Sequence, residues 1–298
     1  MTDAASDVQL SEFFATGEGQ AEPNLAEYFH ENTKLTEFEK GGDPRDGGAT
    51  DPGSLFSGRV AESVLAGVEA VVAQGGKRYP AAPRIELPEP GDGPHDALIT
   101  VLSGRESAQG GYARDAVEKG HLSLLFKYAY GWNTARRKDY DGGSLQRKYV
   151  PSAGGLYPLE VYALQSHEPG SAVLDVHHYN PVSHALERIN IVPRAAVEAA
   201  FVAFPDPALV VVVTAVLPRL AWKYGERGYR YALLEAGHVG QNLVLVAQAL
   251  GMAACPIAGY YDDRVHDLID ADGASEVAVY AFFLGYPQSE SAGQAGSS

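Results

Sequence analysis

Two rhythms of apolar and polar positions alternate along this chain, and each predicts a different kind of element. From Tyr229 to Gly251 the apolar residues Leu234, Val239, Leu243, Val246 and Leu250 mark one face of a long helix. Ala236, Gly237 and Gly240 in the same stretch are small enough to let another backbone or a flat ligand approach closely. Shorter helical patterns run over Asp96–Ser103 and Ala113–Tyr130. Strand patterns recur at Leu159–Gln165, Ala172–Tyr179, Ala185–Ile191, Ala208–Val216 and Glu276–Leu284. The longest strongly apolar run, Ala208 to Leu217, spans about half of what a bilayer-crossing helix requires and is rich in valine, so it reads as a buried strand. Helices and antiparallel-type strands mixed in this order predict an α+β domain rather than a regular βαβ alternation. No Gly-x-Gly-x-x-Gly follows a strand, so a dinucleotide-binding fold is unsupported and any phosphate must be cradled elsewhere.

The flanks read differently. Residues 1–94 form an acidic extension with breakers around Gly41–Ser54 and Pro80–Pro94, and two helical patches inside it, Asn24–Phe38 and Leu55–Gln74. Residues 95–287 carry the dense pattern of the main domain. The last stretch, 288–298, is rich in Ser, Gly and Gln and is expected to be disordered. A polar, basic segment, Asn133–Lys148, reads as a loop leading into the first strand.

Composition narrows the function classes. Against 23 basic side chains stand 38 acidic ones, a formal charge of −15 that repels nucleic-acid phosphates and anionic lipid. The same sign suits a cationic peptide or basic partner, and equally the general surface of a salt-adapted protein. One cysteine, Cys255, allows no internal disulfide and no cysteine-based metal cluster, and it reads as a small buried side chain. His177 and His178 lie in a strand pattern where neighbours face opposite ways, so no shared metal is expected. The first residues lack the basic segment and apolar core of a secretory signal, and a cytoplasmic setting is expected.

Candidate chemistry concentrates in four places. In Pro151-Ser152-Ala153-Gly154-Gly155-Leu156-Tyr157-Pro158 two prolines bracket a run without bulky side chains, either a tight turn entering a strand or a surface on which a planar ring can lie. Arg105 and Ser107 form an Arg-x-Ser pair, either a solvated helix end or a fork and hydroxyl for a phosphate. Lys223-Tyr224 within Trp222–Arg230 reads, on the residues alone, as a strand end or loop with a snorkelling lysine. His238 and Asn242 share one face of the long helix and serve either a ligand or buried backbone groups.

Taken together, these segments resemble the SagB-type dehydrogenases, a branch of the FMN-dependent nitroreductase superfamily that oxidises thiazoline and oxazoline rings to azoles in ribosomally made peptides. The Pro151–Pro158 segment is similar to the family's Pro-Ser-Ala-Gly loop against FMN. Gly155 and Tyr157 stand where common nitroreductases have Asn and Gln. The resemblance spans Asp96–Pro287 and implies a nitroreductase-like α+β fold, a mostly antiparallel sheet flanked by helices, with FMN bound at a homodimer interface. It implies FMN contacts from Arg105, Ser107, Pro151, Ser152, Ala153, Gly154, Gly155, Tyr157, His238 and Asn242. It adds Pro256, Ile257 and Gly259 of the segment after the long helix. A second phosphate-binding arginine of the superfamily would fall near Gln109, with Arg114 as a substitute. Catalysis is implied for Lys223 and Tyr224: Tyr224 as phenolate takes the ring proton, and the Lys223 ammonium lowers its pKa. A cyclodehydratase and a precursor peptide are the implied partners. Two other functions remain open, an NAD(P)H-dependent reductase of nitro, quinone or enone compounds, and a scaffold subunit of a peptide-modifying complex.

Overall fold

A computed structural model describes residues 77–88 and 98–288 apart from 109, 141, 142, 167 and 169, with side chains described outside 136–145. The helical patches Asn24–Phe38 and Leu55–Gln74, the position Gln109 and the tail beyond Gln288 lie outside the described residues.

The continuous apolar run near residue 210 becomes the centre of a sheet. Strands β1 (Arg84–Glu86), β4 (Leu159–Gln165), β5 (Val173–Asn180), β6 (Ala185–Pro193), β7 (Leu209–Val216), β8 (Ala253–Ile257) and β9 (Glu276–Gly285) stand in the order β1-β6-β5-β4-β7-β9-β8. Each neighbouring pair is antiparallel. Successive side chains of a strand face opposite sides, and both sides are covered. Leu209, Val211 and Val213 pack with α2 (Lys119–Tyr130) and α5 (Arg227–Ala249) on one face. Val210 and Val212 pack on the other against α3 (Arg194–Ala200) and α6 (Asp262–Ile269). Double coverage explains why β7 shows no polar alternation.

The long helix sits close to the sheet because of a small residue in its inner face: a Cβ on Gly240 would lie 2.6 Å from the Phe282 ring. Its buried set is Gly228, Ala232, Glu235, Ala236, Val239, Gly240, Leu243, Val244 and Ala247. The inner face is therefore rotated from the predicted one. Leu234 is 58% exposed, whereas Glu235 is 2% exposed. No helix of the described residues is long and apolar enough to cross a membrane.

Three segments fold otherwise than their patterns predict. Residues expected to form the loop Asn133–Lys148 form a hairpin, β2 (Trp132–Tyr140) and β3 (Gly143–Lys148), whose strands pair with each other outside the main sheet. The helix expected from Ala113 begins at Lys119. Lys223-Tyr224 ends a short helix, α4 (Pro218–Tyr224), with proline at its first turn, and Gly225 at φ 54° stops it. The remaining helix, α1 (Leu98–Gly104), precedes Arg105.

Candidate active site

The Pro151–Pro158 segment forms a short 3-10 turn over Ala153–Gly155, with Gly154 at φ 63° and Gly155 at φ 70°. Only glycine adopts these left-handed backbone conformations at little cost. Turn bonds run from Gly155 N to Ser152 O and from Leu156 N to Ala153 O. Tyr157 is also left-handed, at φ 48°, without being glycine. It is held at both ends: its N donates to Ser152 Oγ at 2.9 Å, and its hydroxyl accepts from Lys148 N at 3.0 Å. Its ring turns inward onto Trp132 and Tyr130. Any contact that Tyr157 makes with a molecule lying on the loop is therefore through backbone.

Gly154 is the point where α4 meets this loop. A Cβ there would stand 2.7 Å from Tyr224 Oη and 2.9 Å from Lys223 Nζ. Residues about seventy positions apart in the chain thus converge on one exposed glycine. Arg147 closes the neighbouring position, its guanidinium occupying the space beside Gly155. Lys223 and Tyr224 are each about half-buried, with the ammonium 5.3 Å from the Tyr224 ring centroid.

Burial sets the electrostatics of this pair. Burial pushes the Tyr224 phenol up, with Tyr231 adding to the shift, and burial pulls the Lys223 ammonium down. Both groups move toward their neutral forms because half-burial removes water without providing a carboxylate partner. Burial thus favours the neutral phenol of Tyr224 and the neutral amine of Lys223.

Beneath the loop lies a buried acid–base cluster that the sequence reading did not single out. Tyr130 donates to Glu235 Oε1 at 3.0 Å and accepts from Leu159 N at 3.0 Å. The Lys148 ammonium rests 3.2 Å from the centroid of the Tyr130 ring. Burial pulls Lys148 down to about 7 against the attraction of Glu160 and Glu235. Burial also pushes Glu235 up to about 7, against the pulls of Ser152, Lys148 and Tyr130. Glu235 Oε2 is buried with no hydrogen-bond partner among the described residues. A signal existed for Glu235, because it falls at helical spacing with Ala232 and Val239.

This carboxyl makes stability depend on pH. Its folded pKa lies above the ordinary 4.5, so its contribution is fully present below that value and is lost as pH rises through about 7. Glu235→Gln keeps an acceptor for Tyr130 and removes the titration. Thermal or urea unfolding should show the variant gaining on the wild type between about pH 5 and about pH 8, by up to roughly 3 kcal/mol. A gain that does not change with pH would mean that Glu235 is not the titrating group.

Arg105, Ser107 and the Pro256–Gly259 segment lie toward the far end of α5, whereas His238 and Asn242 stand midway along it. Arg105 follows α1, partly exposed, with Nη1 donating to the exposed Ser107 Oγ at 3.4 Å. Arg114 pairs with Asp206 at 3.0 Å instead. Ala108 N donates to Ala254 O, tying this segment to β8, and a Cβ on Gly104 would touch Gln248 of α5. Pro256 and Ile257 close β8, whose edge pairs with Phe282 and Ala281 of β9, and the Gly259 carbonyl accepts from Val202 N. Gln248 lies thirteen residues beyond Glu235, about 20 Å along the helix axis. His238 is exposed on the outer face of α5, while Asn242 Nδ2 donates to Tyr128 O at 3.0 Å, joining α5 to α2. Cys255 is part-buried, and burial pushes its thiol up.

Comparison with known proteins agrees with this architecture. Residues 102–286 match the model of the nitroreductase family. The chain is 33% identical over 180 residues to a Methanocaldococcus jannaschii protein described as a nitroreductase, covering 58% of this chain and 82% of that one. It is 33% identical over 153 residues to the microcin B17-processing protein McbC of Escherichia coli, covering 49% of this chain and 56% of McbC. It is 29% identical over 171 residues to the trifolitoxin-processing protein TfxB of Rhizobium leguminosarum bv. trifolii, covering 55% and 46%. The chain thus spans about half the length of these two peptide-processing relatives. Among solved structures, a nitroreductase from Anabaena variabilis superposes with a TM-score of 0.59 at 25% identity, over 87% of this chain and 46% of that one. The E. coli microcin synthetase McbBCD complex with truncated pro-MccB17 bound matches at a TM-score of 0.50 and 23% identity, covering 90% and 98%, which is a likeness of fold. With the family model covering more than half of its length, the chain belongs to the nitroreductase family, whose members are FMN-using oxidoreductases.

Proposed function

We propose that this chain is an FMN-dependent dehydrogenase that oxidises azoline rings to azoles in a ribosomally made peptide. The observation that carries the reading is the convergence of Lys223 and Tyr224 on the exposed Gly154 of the Pro151–Tyr157 loop. Similarity to McbC and TfxB, both processing proteins for peptide products, supports the substrate class.

The residues present fit FMN. Gly154 brings the backbone of the loop directly against a phenol and an amine, so a ring lying along the loop beside it would meet both groups. Arg105 and Ser107 offer a guanidinium fork and a hydroxyl whose described partners are each other, the donor set for a phosphate. Pro151, Ser152, Ala153, Gly154 and Gly155 would line the ring, with Pro256, Ile257 and Gly259 from the β8 end, and His238 stands on the outer face of α5. The separation of these two groups along α5 supports a site completed by a second copy of the chain. So do Tyr229, Leu233 and Leu234 on α5 and Leu98, Ile99 and Leu102 on α1, all exposed.

Aromatising an azoline removes one proton and one hydride, and FMN when bound supplies the two-electron acceptor. Lys223 takes the proton at Nζ, as the amine that burial favours. Tyr224, a neutral phenol, orients the ring through its hydroxyl and excludes water. A cyclodehydratase that makes the azoline and the precursor peptide that carries it are the proposed partners, in the cytoplasm.

The test is direct. Protein reconstituted with FMN and given an azoline-bearing peptide should return a product lighter by two hydrogens per ring in mass spectrometry. Rapid bleaching by NAD(P)H with no change in the peptide would make it a reductase. Protein that stays colourless after added FMN yet binds a cyclodehydratase would make it a scaffold subunit.

A further inference from the structure

We propose that Arg219 is a positioning residue that sets how closely Lys223 and Tyr224 approach Gly154, by tying α4 to the carbonyl of Tyr157 while its charge is held by buried Glu160. The proposal rests on the functional reading above and deepens it.

Arg219 stands one turn before Lys223 in α4, four residues and about 6 Å along the axis. One arm of its fork, Nη2, meets Glu160 Oε1 at 2.5 Å, and the other, Nη1, donates to Tyr157 O at 3.4 Å. Glu160 is a firm anchor. Its side chain is 2% exposed, it accepts from Lys77 N at 3.0 Å, and His178 Nε2 lies 2.8 Å from Oε2. Arg219 and His178 hold its carboxyl down at about 2 against burial, so it stays charged across the working range. His178 in turn faces Glu187, and burial alone would have neutralised the imidazole that these two carboxylates keep raised.

Tyr157 is where the latch acts. Its strained left-handed backbone persists because N, hydroxyl and carbonyl are each held, by Ser152, Lys148 and Arg219. Ser152 and Lys148 belong to the loop and the hairpin beside it. Arg219 belongs to the helix that carries Lys223 and Tyr224. The carbonyl bond therefore couples the loop's conformation to the helix's position, and a planar bidentate group is needed to reach Glu160 and Tyr157 at once.

The experiment compares Arg219→Met and Arg219→Lys with the wild type in three readouts. Amide hydrogen exchange at Gly155, Leu156 and Tyr157, measured without added FMN, should rise about tenfold or more in both variants while sheet amides of β4 and β7 stay protected. Turnover of an azoline peptide should fall roughly tenfold to a hundredfold at little changed KM. Arg219→Lys should recover melting temperature, because an ammonium still faces Glu160, without recovering turnover. Exchange confined to wild-type rates at the loop, or full turnover in Arg219→Lys, overturns the proposal. If Arg219→Met does not fold, because it leaves Glu160 buried and uncompensated, Arg219→Lys decides by itself. If the wild type oxidises no azoline, the functional reading fails, and loop exchange still decides whether the latch exists.

Discussion

Replacing Lys223 with methionine is expected to lower azoline turnover by at least about a hundredfold, the usual lower range for removing a general base. The methionine keeps the aliphatic stem that packs at the end of α4, so the flavin absorbance of the reconstituted protein should be unchanged. The sign of the pH dependence separates the two candidates for the base. Burial pulls Lys223 below its ordinary 10.5 and pushes Tyr224 above its ordinary 10.0. An amine acting as base is active when deprotonated, so kcat/KM should climb with pH and level off below the ordinary lysine value. A phenolate base would instead keep the rate climbing beyond the ordinary tyrosine value. Tyr224→Phe should cost less than Lys223→Met and preserve the shape of the profile. A larger loss in Tyr224→Phe, with the profile of Lys223→Met unchanged from wild type, would return the base role to the phenol.

The second large effect concerns a single methyl group. Gly154→Ala places a Cβ within 2.9 Å of both Tyr224 Oη and Lys223 Nζ, closer than nonbonded atoms tolerate. The backbone at φ 63° adds roughly 1–2 kcal/mol of strain for any non-glycine residue. Either the loop moves or the two side chains do, and a displacement of this size at a reacting centre costs about a hundredfold in rate. The expected result is therefore a melting temperature lowered by a few degrees, turnover lowered far more than that loss explains, and weaker retention of added FMN on dialysis. Gly237→Ala is the control, since nothing stands within 4 Å of a Cβ there. Equal losses in the two variants would show that helix and loop are merely intolerant of substitution.

The central strands, the long helix and the proline-bracketed loop are all legible in the amino-acid sequence. The reason is local. β7 is covered on both faces, so its valines declare burial whichever partner they meet, and in Pro151–Pro158 the bracketing prolines restrict the backbone while the adjacent glycines permit the left-handed turn between them. Family motifs added the pairing of Arg105 with Ser107 and drew attention to Lys223 and Tyr224. By contrast, the hairpin Trp132–Lys148 was hidden, because its polar strands pair with each other rather than with the sheet and so carry no core-facing alternation.

The same limit applied inside the site. Apolarity alone placed Leu234 inward, yet Glu235 is the buried residue, because the Tyr130 hydroxyl and Lys148 charge that favour it arrive from segments about ninety to a hundred positions away. Composition and spacing along the chain decided which kinds of element form and which residues are able to hold a phosphate, a planar ring or a proton. Tertiary structure decided which of those groups lose water, and burial at the end of α4 moved Lys223 down and Tyr224 up, each toward its neutral form. A pKa depends on the dielectric and the charges around a group, and those are supplied by residues that only folding brings near.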